Sequence, residues 1–385
     1  MHLDRTVRSL VSAADAEGLP FALWRDPGAS EFRAMISTRA AAPRPVFQNE
    51  AGQPFFALAR FDASAPERAD AIVGDVIVGP EGVMFHEGAR RTPAPADVMQ
   101  SRIANAAGGT PVRGRSGGVP PQTGRAEYER LVRRAVEEIE QGPSRKIVLS
   151  RAEARALAPG TDLLDLASAL AERYPTAFVA LVSSMRTGTW LVATPEILLS
   201  VARGEVRTMA LAGTQWPAPG TDPETLDWPE KIIEEQGLVA KFVREALAGC
   251  GIRDHEETAP RTVQAGSLCH LRSDFVARLP ERGRAAALSG LLSSLHPTPA
   301  VCGMPRAHAM AFLRANEGYD RGYYTGYLGP VGLFGRTDLY VNLRSARIIG
   351  ETACLFVGGG IVSRSDPALE WQETVEKTRT LGAVL

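Results

Sequence analysis

The chain has 385 residues, of which 44% are hydrophobic, so it can bury a large core and is not a disordered protein. Its 43 basic and 44 acidic residues lack the basic excess that is typical of nucleic-acid-binding proteins. The four cysteines have neither metal-ligand nor redox spacing, and no apolar run is long enough for a transmembrane span. We therefore expect a cytoplasmic protein whose partners include neither nucleic acid nor membrane.

The organisation changes once along the chain. Residues 1–106 show an amphipathic helix pattern followed by short apolar runs that are typical of strands. Residues 107–124 are rich in glycine and proline, and this composition predicts a flexible loop or linker. Residues 125–385 then contain runs of strands with helices between the runs. That order favours an α+β fold with antiparallel sheets over a doubly wound parallel sheet.

The larger region begins with a predicted helix at EYERLVRRAVEEIEQG, where apolar residues recur at helical spacing. RKIVLSRAEARAL is strand-like, and TDLLDLASALAERYP is predicted to be a helix capped by Thr161 or Asp162. Further strands are predicted at AFVALVSS, TWLVATPE, ILLSVARG and EVRTMALAG, before the helix DWPEKIIEEQGLVAKFVREALAG. After PRAHAMAFLRANEG, a strand meander leads to a final helix that Asp366 and Pro367 begin.

The final helix carries a pattern that could bind an anion or a cation. Glu370, Glu373 and Lys377 share one face at spacings i, i+3 and i+7. A Gly-Gly-Gly run precedes this helix, and the positive end of a helix favours anions. The pair Glu234-Glu235 on the preceding long helix could share a hard cation such as Mg²⁺ with these carboxylates. Solvated helix faces would give the same patterns.

Other titratable residues allow two interpretations each. Lys146, beside apolar strand residues, is either a partly desolvated base or an edge lysine that reaches solvent. Glu196 is either a turn carboxylate or a buried acid with a raised pKa. A lone histidine such as His270 is more often structural. Arg344, within an apolar strand, needs an internal or ligand carboxylate as its partner.

Nine segments, in order, resemble the chorismate-utilising enzymes: anthranilate synthase component one, aminodeoxychorismate synthase, isochorismate synthase and salicylate synthase. The segments cover about residues 122–385 and are RKIVLSR, ATPEILLS, ALAGTQ, EEQGLV, VQAGSLCHL, HPTPAVCGMPR, RGYYTGYLG, NLRSA and GGGIVSRSDPALEWQETVEKTRTL. The resemblance implies a large α+β chorismate-binding fold, with antiparallel β-sheets packed by helices around a central active site. It also implies chorismate, a dianion, as the substrate.

Within the family, the sequence is most similar to isochorismate synthase. The lysine of KIVLSR marks members that use water as the nucleophile, and HPTPAVCG stands where aminating members carry PAGT or PGGS. This implies magnesium-dependent, reversible isomerisation of chorismate by water addition at C2 and loss of the C4 hydroxyl. The product would feed menaquinone or a catecholate siderophore, and no glutaminase subunit is required. Salicylate synthase is the alternative, ahead of an aminating enzyme or a non-catalytic chorismate-binding paralogue.

The resemblance also implies residue roles. Lys146 would be the base that activates water, and Glu196 the acid that protonates the departing hydroxyl. The Mg²⁺ ligands would be Glu234, Glu370 and Glu373, and the substrate would be bound by Gly213, Thr214, His270, Tyr324, Arg344, Gly358, Gly359, Gly360 and Lys377. Many relatives carry an acid three positions before the first of these glutamates and a histidine after it. Here Lys231 and Glu235 stand there, and Lys231 could weaken magnesium binding.

Overall fold

The computed structural model describes residues 3–47, 52–86, 110–215, 217–218, 220–265 and 268–385. The α-helices within these ranges are α1 (Arg5–Ala16), α2 (Arg125–Gln141), α3 (Leu163–Arg173), α4 (Glu230–Gly249), α5 (Arg284–Leu295), α6 (Arg306–Asn316) and α7 (Pro367–Gly382). A short 3₁₀-helix covers Pro223–Thr225. Within the same ranges, no helix is both long and apolar enough to cross a membrane.

The strands are β1 (Phe21–Arg25), β2 (Arg33–Ile36), β3 (Ala42–Pro45), β4 (Phe55–Ala59), β5 (Arg68–Val73), β6 (Val76–Gly79), β7 (Gly82–Phe85), β8 (Lys146–Ala156), β9 (Phe178–Ser184), β10 (Gly188–Thr194), β11 (Ile197–Ala202), β12 (Glu205–Gln215), β13 (His255–Glu257), β14 (Arg261–Ala265), β15 (Leu268–Arg278), β16 (Gly303–Met304), β17 (Tyr327–Val331), β18 (Arg336–Val341), β19 (Ser345–Ile349) and β20 (Thr352–Ile361).

These strands form two antiparallel sheets, so the predicted α+β class is confirmed. The first sheet has the order β16-β8-β20-β19-β10-β9-β1-β2-β6-β7. The second has the order β13-β15-β12-β11-β18-β17-β4-β5-β3, and β14 also pairs with β15. The strands before residue 86 enter both sheets, so the N-terminal part of the chain shares its sheets with the rest.

The central strands are buried on both faces, which explains why they are continuous apolar runs in the sequence. Along β9, Phe178, Ala180 and Val182 belong to the core between the sheets. Val179 and Leu181 point the other way, into the core beneath α1 and α3. Helices α4 and α5 cover the outer face of the second sheet in the same manner. The two sheets therefore pack face to face, with helices outside.

A third group of helices lies at one edge of the first sheet. Helices α2, α6 and α7 pack around Ile147, Leu149 and Ile361 of β8 and β20. Side chains alternate along a strand, so Lys146, Val148 and Ser150 face the opposite side of β8. This packing fixes α7 beside β20 and leaves the Lys146 side of β8 facing the interior of the molecule.

The described part of the predicted linker is docked on the first sheet. Residues 110–124 form neither helix nor strand, but Val112 is completely buried beneath α1 and α3. Arg115 bridges to Ile349, and its Nε donates to Ser183 Oγ at 2.9 Å. Residues 107–109 lie outside the described ranges. The segment from 110 onward therefore contributes to the core instead of connecting two separate bodies.

Candidate active site

A cavity of about 190 Å³ lies where β8, β12, β20, α4 and α7 meet. It brings together nearly all of the residues singled out in the sequence: Lys146, Glu196, Gly213, Thr214, His270, Tyr324, Arg344, Gly358, Gly359, Gly360, Glu370, Glu373 and Lys377. The lining also includes Glu235 of the predicted glutamate pair, Ala300 and Val301 of the HPTPAVCG segment, and residues to which the sequence analysis gave no role, among them Ser150, Ile232, Arg321, Thr325 and Phe356.

Glu234 does not line this cavity. It is exposed, whereas Glu235 and Ile232, one helical turn apart, face the cavity from α4. The carboxylate of this helix that faces the site is therefore Glu235. If Glu235 is taken as the metal-site glutamate of this helix, Ile232 stands three positions before it, where many relatives carry an acid. Gln236 then stands where they carry a histidine, and it donates to Ser273 Oγ at 2.9 Å. The side chain of Lys231 lies outside the described part of the structure.

Lys146 is the first residue of β8, and its side chain is almost completely buried, with 6% of the residue exposed. Its ammonium group forms a short ion pair with Glu235. Gly360 of β20 pairs with Val148 and lies diagonally opposite Lys146, so that a Cβ atom on it would be 2.8 Å from Lys146 Cε. A side chain at position 360 would therefore displace the lysine, which explains the glycine at this place.

Glu196 lies between β10 and β11 with 5% of its surface exposed. Its backbone is fixed, because its carbonyl accepts from Val341 N at 2.9 Å. Burial raises the pKa of its carboxyl group to about 7, although the charge of Lys146 acts in the opposite direction. Near neutral pH the side chain can therefore be a proton donor in the cavity that also contains Lys146.

The final helix carries Glu370 and Glu373 on the face that packs against β20. The position of a Cβ atom on Gly359 lies 3.2 Å from Glu370 Oε2 and 3.7 Å from Glu373 Oε1. Lys377 Nζ donates to Glu373 Oε1 at 2.5 Å and to the carbonyl of Gly358 at 2.8 Å. Two carboxylate oxygens thus converge on one point, and a lysine from the next helical turn pairs with one of them.

These oxygens suit a hard cation that is shared with a ligand. Within the described ranges, no three aspartate, glutamate, histidine or cysteine side chains are arranged to hold a metal ion by themselves. Magnesium, however, is commonly held by one or two protein carboxylates, with waters and ligand oxygens completing its octahedron. Glu370 and Glu373 fit that pattern, and Glu235 lies in the same cavity.

The Gly-Gly-Gly run lies in the predicted strand meander, but its amides are not free for a ligand. Gly358, Gly359 and Gly360 are part of β20 and pair with Ser150, Leu149 and Val148. The first amides of α7 are also already used: Asp366 Oδ1 accepts from Ala368 N and Leu369 N. The helix terminus is therefore capped by its own aspartate, and the glycines provide space instead of a loop of free amides.

His270 on β15 is buried beside Gly213 and Thr214, where the pairing of β12 with β15 is irregular. Its Nδ1 lies 2.7 Å from the carbonyl oxygen of Gly213, which can only accept, so Nδ1 carries the proton. Burial, together with the charge of Arg344, lowers the pKa of His270 to about 4. The imidazole is therefore neutral near pH 7 and presents the lone pair of Nε2 as an acceptor.

The same irregular part of β12 requires glycine at position 213. Its φ is +69°, and a Cβ atom there would lie 2.4 Å from Ile232 Cγ2. Any other residue would be strained there, and its Cβ atom would clash with the side chain of Ile232 on α4.

Tyr324 and Arg344 reach the cavity from backbone that is strained at Arg344 itself and at the neighbour of Tyr324. Arg344 has a φ of 48°, and Thr325, next to Tyr324, has a φ of 59°. Positive φ values in such residues persist only where the surrounding structure enforces them, and they are concentrated at functional sites. Here Thr325 N donates to the carbonyl of Asn342 at 2.9 Å. Burial raises the pKa of Tyr324 to about 12, so its hydroxyl stays protonated and can donate a hydrogen bond. Burial lowers the pKa of Arg344, but arginine is not deprotonated in proteins, so its guanidinium also remains a donor.

A buried ion pair that no sequence pattern indicated supports this side of the cavity. Arg321 binds both carboxylate oxygens of Glu317, at 2.7 and 2.6 Å. Arg321 also donates to the carbonyls of Val301 and Val148, at 2.9 and 2.6 Å. Glu317 in turn accepts from Ser150 N and Oγ, at 2.7 and 2.8 Å. This network ties β8 to the segment that carries Tyr324.

Comparison with known proteins gives a consistent result. Residues 112–385 match the model of the family described as chorismate binding enzyme. The salicylate biosynthesis isochorismate synthase of Pseudomonas aeruginosa is 34% identical over 284 residues, which are 71% of this chain and 58% of that protein. Anthranilate synthase component 1 of Streptomyces coelicolor is 32% identical over 314 residues, 78% of this chain and 58% of that protein. The chain thus matches less than two thirds of either relative's length.

The fold has a counterpart among solved structures. The menaquinone-specific isochorismate synthase from Escherichia coli superposes with a TM-score of 0.79 at 23% identity, covering 98% of this chain and 91% of that one. At this level of identity the likeness establishes a common fold, and any statement about the reaction has to rest on the residues of the cavity.

Proposed function

Because the chain belongs to the chorismate binding enzyme family, we propose that it is an isochorismate synthase, an isomerase that converts chorismate reversibly to isochorismate. The observation that carries this proposal is the presence of Lys146 and Glu196 in one cavity with the carboxylates of α7. Lys146 is the lysine of KIVLSR, which marks family members that use water as the nucleophile, so its place in the cavity supports that reaction. Ala300 and Val301 of the HPTPAVCG segment line the same cavity, so the segment that separates this chain from the aminating pattern lies at the site.

The reaction exchanges one hydroxyl group for another. Lys146, once deprotonated, would accept a proton from water as the water oxygen bonds to C2 of the ring. Glu196 would donate its proton to the C4 hydroxyl, which departs as water while the ring double bonds shift. One water enters and one leaves, so the step is an isomerisation, and reversal needs the same two groups with their roles exchanged.

Cationic and hydroxyl groups around the cavity would hold the substrate. Chorismate carries two carboxylates, and Arg344 with Tyr324 offers a guanidinium and a phenol to the one on the enolpyruvyl group. The neutral His270 presents an acceptor and so suits a substrate hydroxyl. Lys377 adds a second positive charge beside β20. These assignments orient the ring between the base and the acid.

We propose that the cation is Mg²⁺ and that Glu370 and Glu373 hold it, with Glu235 close by. When bound, Mg²⁺ would neutralise the ring carboxylate and fix its position. In the present arrangement Glu235 pairs with Lys146 and Glu373 pairs with Lys377. Cation binding therefore competes with two ammonium groups for the same carboxylates.

The rate of chorismate turnover should rise with magnesium concentration to a plateau, and excess chelator should abolish turnover. Glu373→Gln and Glu235→Gln should each raise the half-saturating magnesium concentration by at least about 10-fold, because a cavity carboxylate is lost. Matched controls are Glu376→Gln and Glu234→Gln, which change carboxylates outside the cavity on the same two helices. Initial rates across a magnesium titration measure the effect. Full activity in excess chelator would refute the cation assignment.

Product identification tests the proposal as a whole. The purified protein is incubated with chorismate and Mg²⁺, and the products are separated by chromatography; isochorismate should accumulate to a near-balanced ratio with chorismate. Pyruvate release with salicylate fluorescence would instead identify a salicylate synthase, since pyruvate elimination follows the same first step. An aminated product that requires ammonia would identify an aminating enzyme. Absence of turnover would support a non-catalytic chorismate-binding protein.

A further inference from the structure

The hydroxyl group of Tyr128 stands out as a buried polar atom without a hydrogen bond. Tyr128 lies on α2, is completely buried, and its Oη has no hydrogen-bond partner in the described part of the structure. Its ring packs among the apolar residues beneath α2 and α7, with its centroid 5.9 Å from that of Trp371. A buried hydroxyl without a partner loses its hydration without compensation, and such groups are rare in folded proteins.

The surroundings of this hydroxyl indicate what it could bind. It lies 3.9 Å from the position of a Cβ atom on Gly359, the same point on which Glu370 Oε2 and Glu373 Oε1 converge. Three oxygen atoms from α2 and α7 therefore surround one place beside β20. A phenol is protonated near neutral pH, so among these three groups Tyr128 is the hydrogen-bond donor.

We propose that Tyr128 is a positioning residue of the cation site, whose hydroxyl donates to the carboxylate of Glu370 when the cation is bound. This inference rests on the proposed function, which places the cation on Glu370 and Glu373. A carboxylate that ligates a metal is usually held by a hydrogen bond from an outer residue, and loss of that bond commonly weakens metal binding 10- to 100-fold. Tyr128 can provide this bond because α2 packs directly against α7.

Tyr128→Phe separates this role from a purely structural one. Binding is measured by calorimetric titration of the purified protein with magnesium chloride, and stability by thermal unfolding in chelator. The variant should bind magnesium about 10-fold or more weakly than the wild type. Its unfolding temperature in chelator should be unchanged or higher, because the hydroxyl that is removed makes no hydrogen bond without the cation.

Tyr327→Phe is the matched control. Its hydroxyl is also buried, but it donates to the carbonyl of Pro66 at 2.7 Å, and the residue does not line the cavity. This variant should unfold at a lower temperature than the wild type and bind magnesium equally well.

Three results would overturn the inference. Equal magnesium binding by Tyr128→Phe and the wild type would overturn it alone and leave the proposed function intact. A loss of stability in chelator as large as that of Tyr327→Phe would show that the hydroxyl is already bonded in the cation-free protein. If the wild type bound no magnesium either alone or after equilibration with chorismate, the inference and the cation assignment would both be wrong.

Discussion

Lys146→Ala should lower the rate of chorismate isomerisation by about 10²- to 10⁴-fold, the usual contribution of a positioned acid or base. The lysine is the buried amine that faces Glu235 and Gly360 in the cavity, and its truncation leaves water without a proton acceptor. Steady-state kinetics with saturating magnesium measures the loss, and chromatography of the products shows whether any isochorismate still forms. The unfolding temperature of the variant shows whether the fold survives.

Lys146→Arg distinguishes a base from a fixed positive charge. Arginine keeps the charge that pairs with Glu235 but is not deprotonated in proteins, so this variant should be as inactive as Lys146→Ala. Lys241→Ala, which changes an exposed lysine on α4, is the control and should have wild-type rates. Substantial activity in the arginine variant would show that the residue acts through its charge. Unchanged turnover in Lys146→Ala would remove the mechanism proposed here.

Much of the fold could be predicted because local signals agree with the tertiary structure. The apolar residues of α2 repeat at helical spacing and four of them are buried, and Asp162 and Asp366 cap α3 and α7. The apolar runs of the central strands also reflect burial on both faces. The order of the strands in the two sheets could not be predicted, because pairings such as β4 with β17 join segments about 270 residues apart without a local signal.

Glu234 was predicted to face the cavity instead of Glu235 because the sequence does not determine the rotation of α4 about its axis. In α4 two isoleucines are followed by two glutamates, so either glutamate could face the cavity by periodicity alone. The buried face of Val239, Ala240 and Val243 against the second sheet decides the rotation of the helix and selects Glu235.

The glycine run was correctly expected within the strand meander, but the reason for its glycines could not be predicted. Gly359 and Gly360 are needed because the glutamates of α7 and the side chain of Lys146 occupy the space beside them. The need for glycine at these positions arises from contacts with β8 and α7, which a local sequence pattern does not reveal. The ion pair of Glu317 and Arg321 was missed for a related reason, since ordinary charged residues in a sequence do not reveal that both will be buried together.

Glu196→Gln should lower kcat/KM by about 10²- to 10⁴-fold and remove one limb of its pH profile. The wild-type acid must be protonated in the free enzyme, and burial raises its pKa to about 7. The wild-type kcat/KM should therefore fall as pH rises through about 7, approaching a tenfold loss for each further pH unit. Glutamine has a similar shape but no acidic proton, so the remaining activity of the variant should lack this limb. A variant that retained the limb would show that another group is the acid.

The same pKa predicts an effect on stability that needs no substrate. The folded pKa of Glu196, about 7, lies above its ordinary value of 4.5, so the folded state binds more protons than the unfolded state between these values. The contribution of Glu196 to stability therefore falls as pH rises from about 4.5 through about 7, by roughly 3 kcal/mol in all. Glu196→Gln lacks this loss, so its stability relative to the wild type should increase across that window and level off above it. Chemical unfolding of both proteins at pH 5 and pH 8 measures the difference. If the difference were the same at both pH values, Glu196 would be an ordinary ionised carboxylate and could not act as the acid.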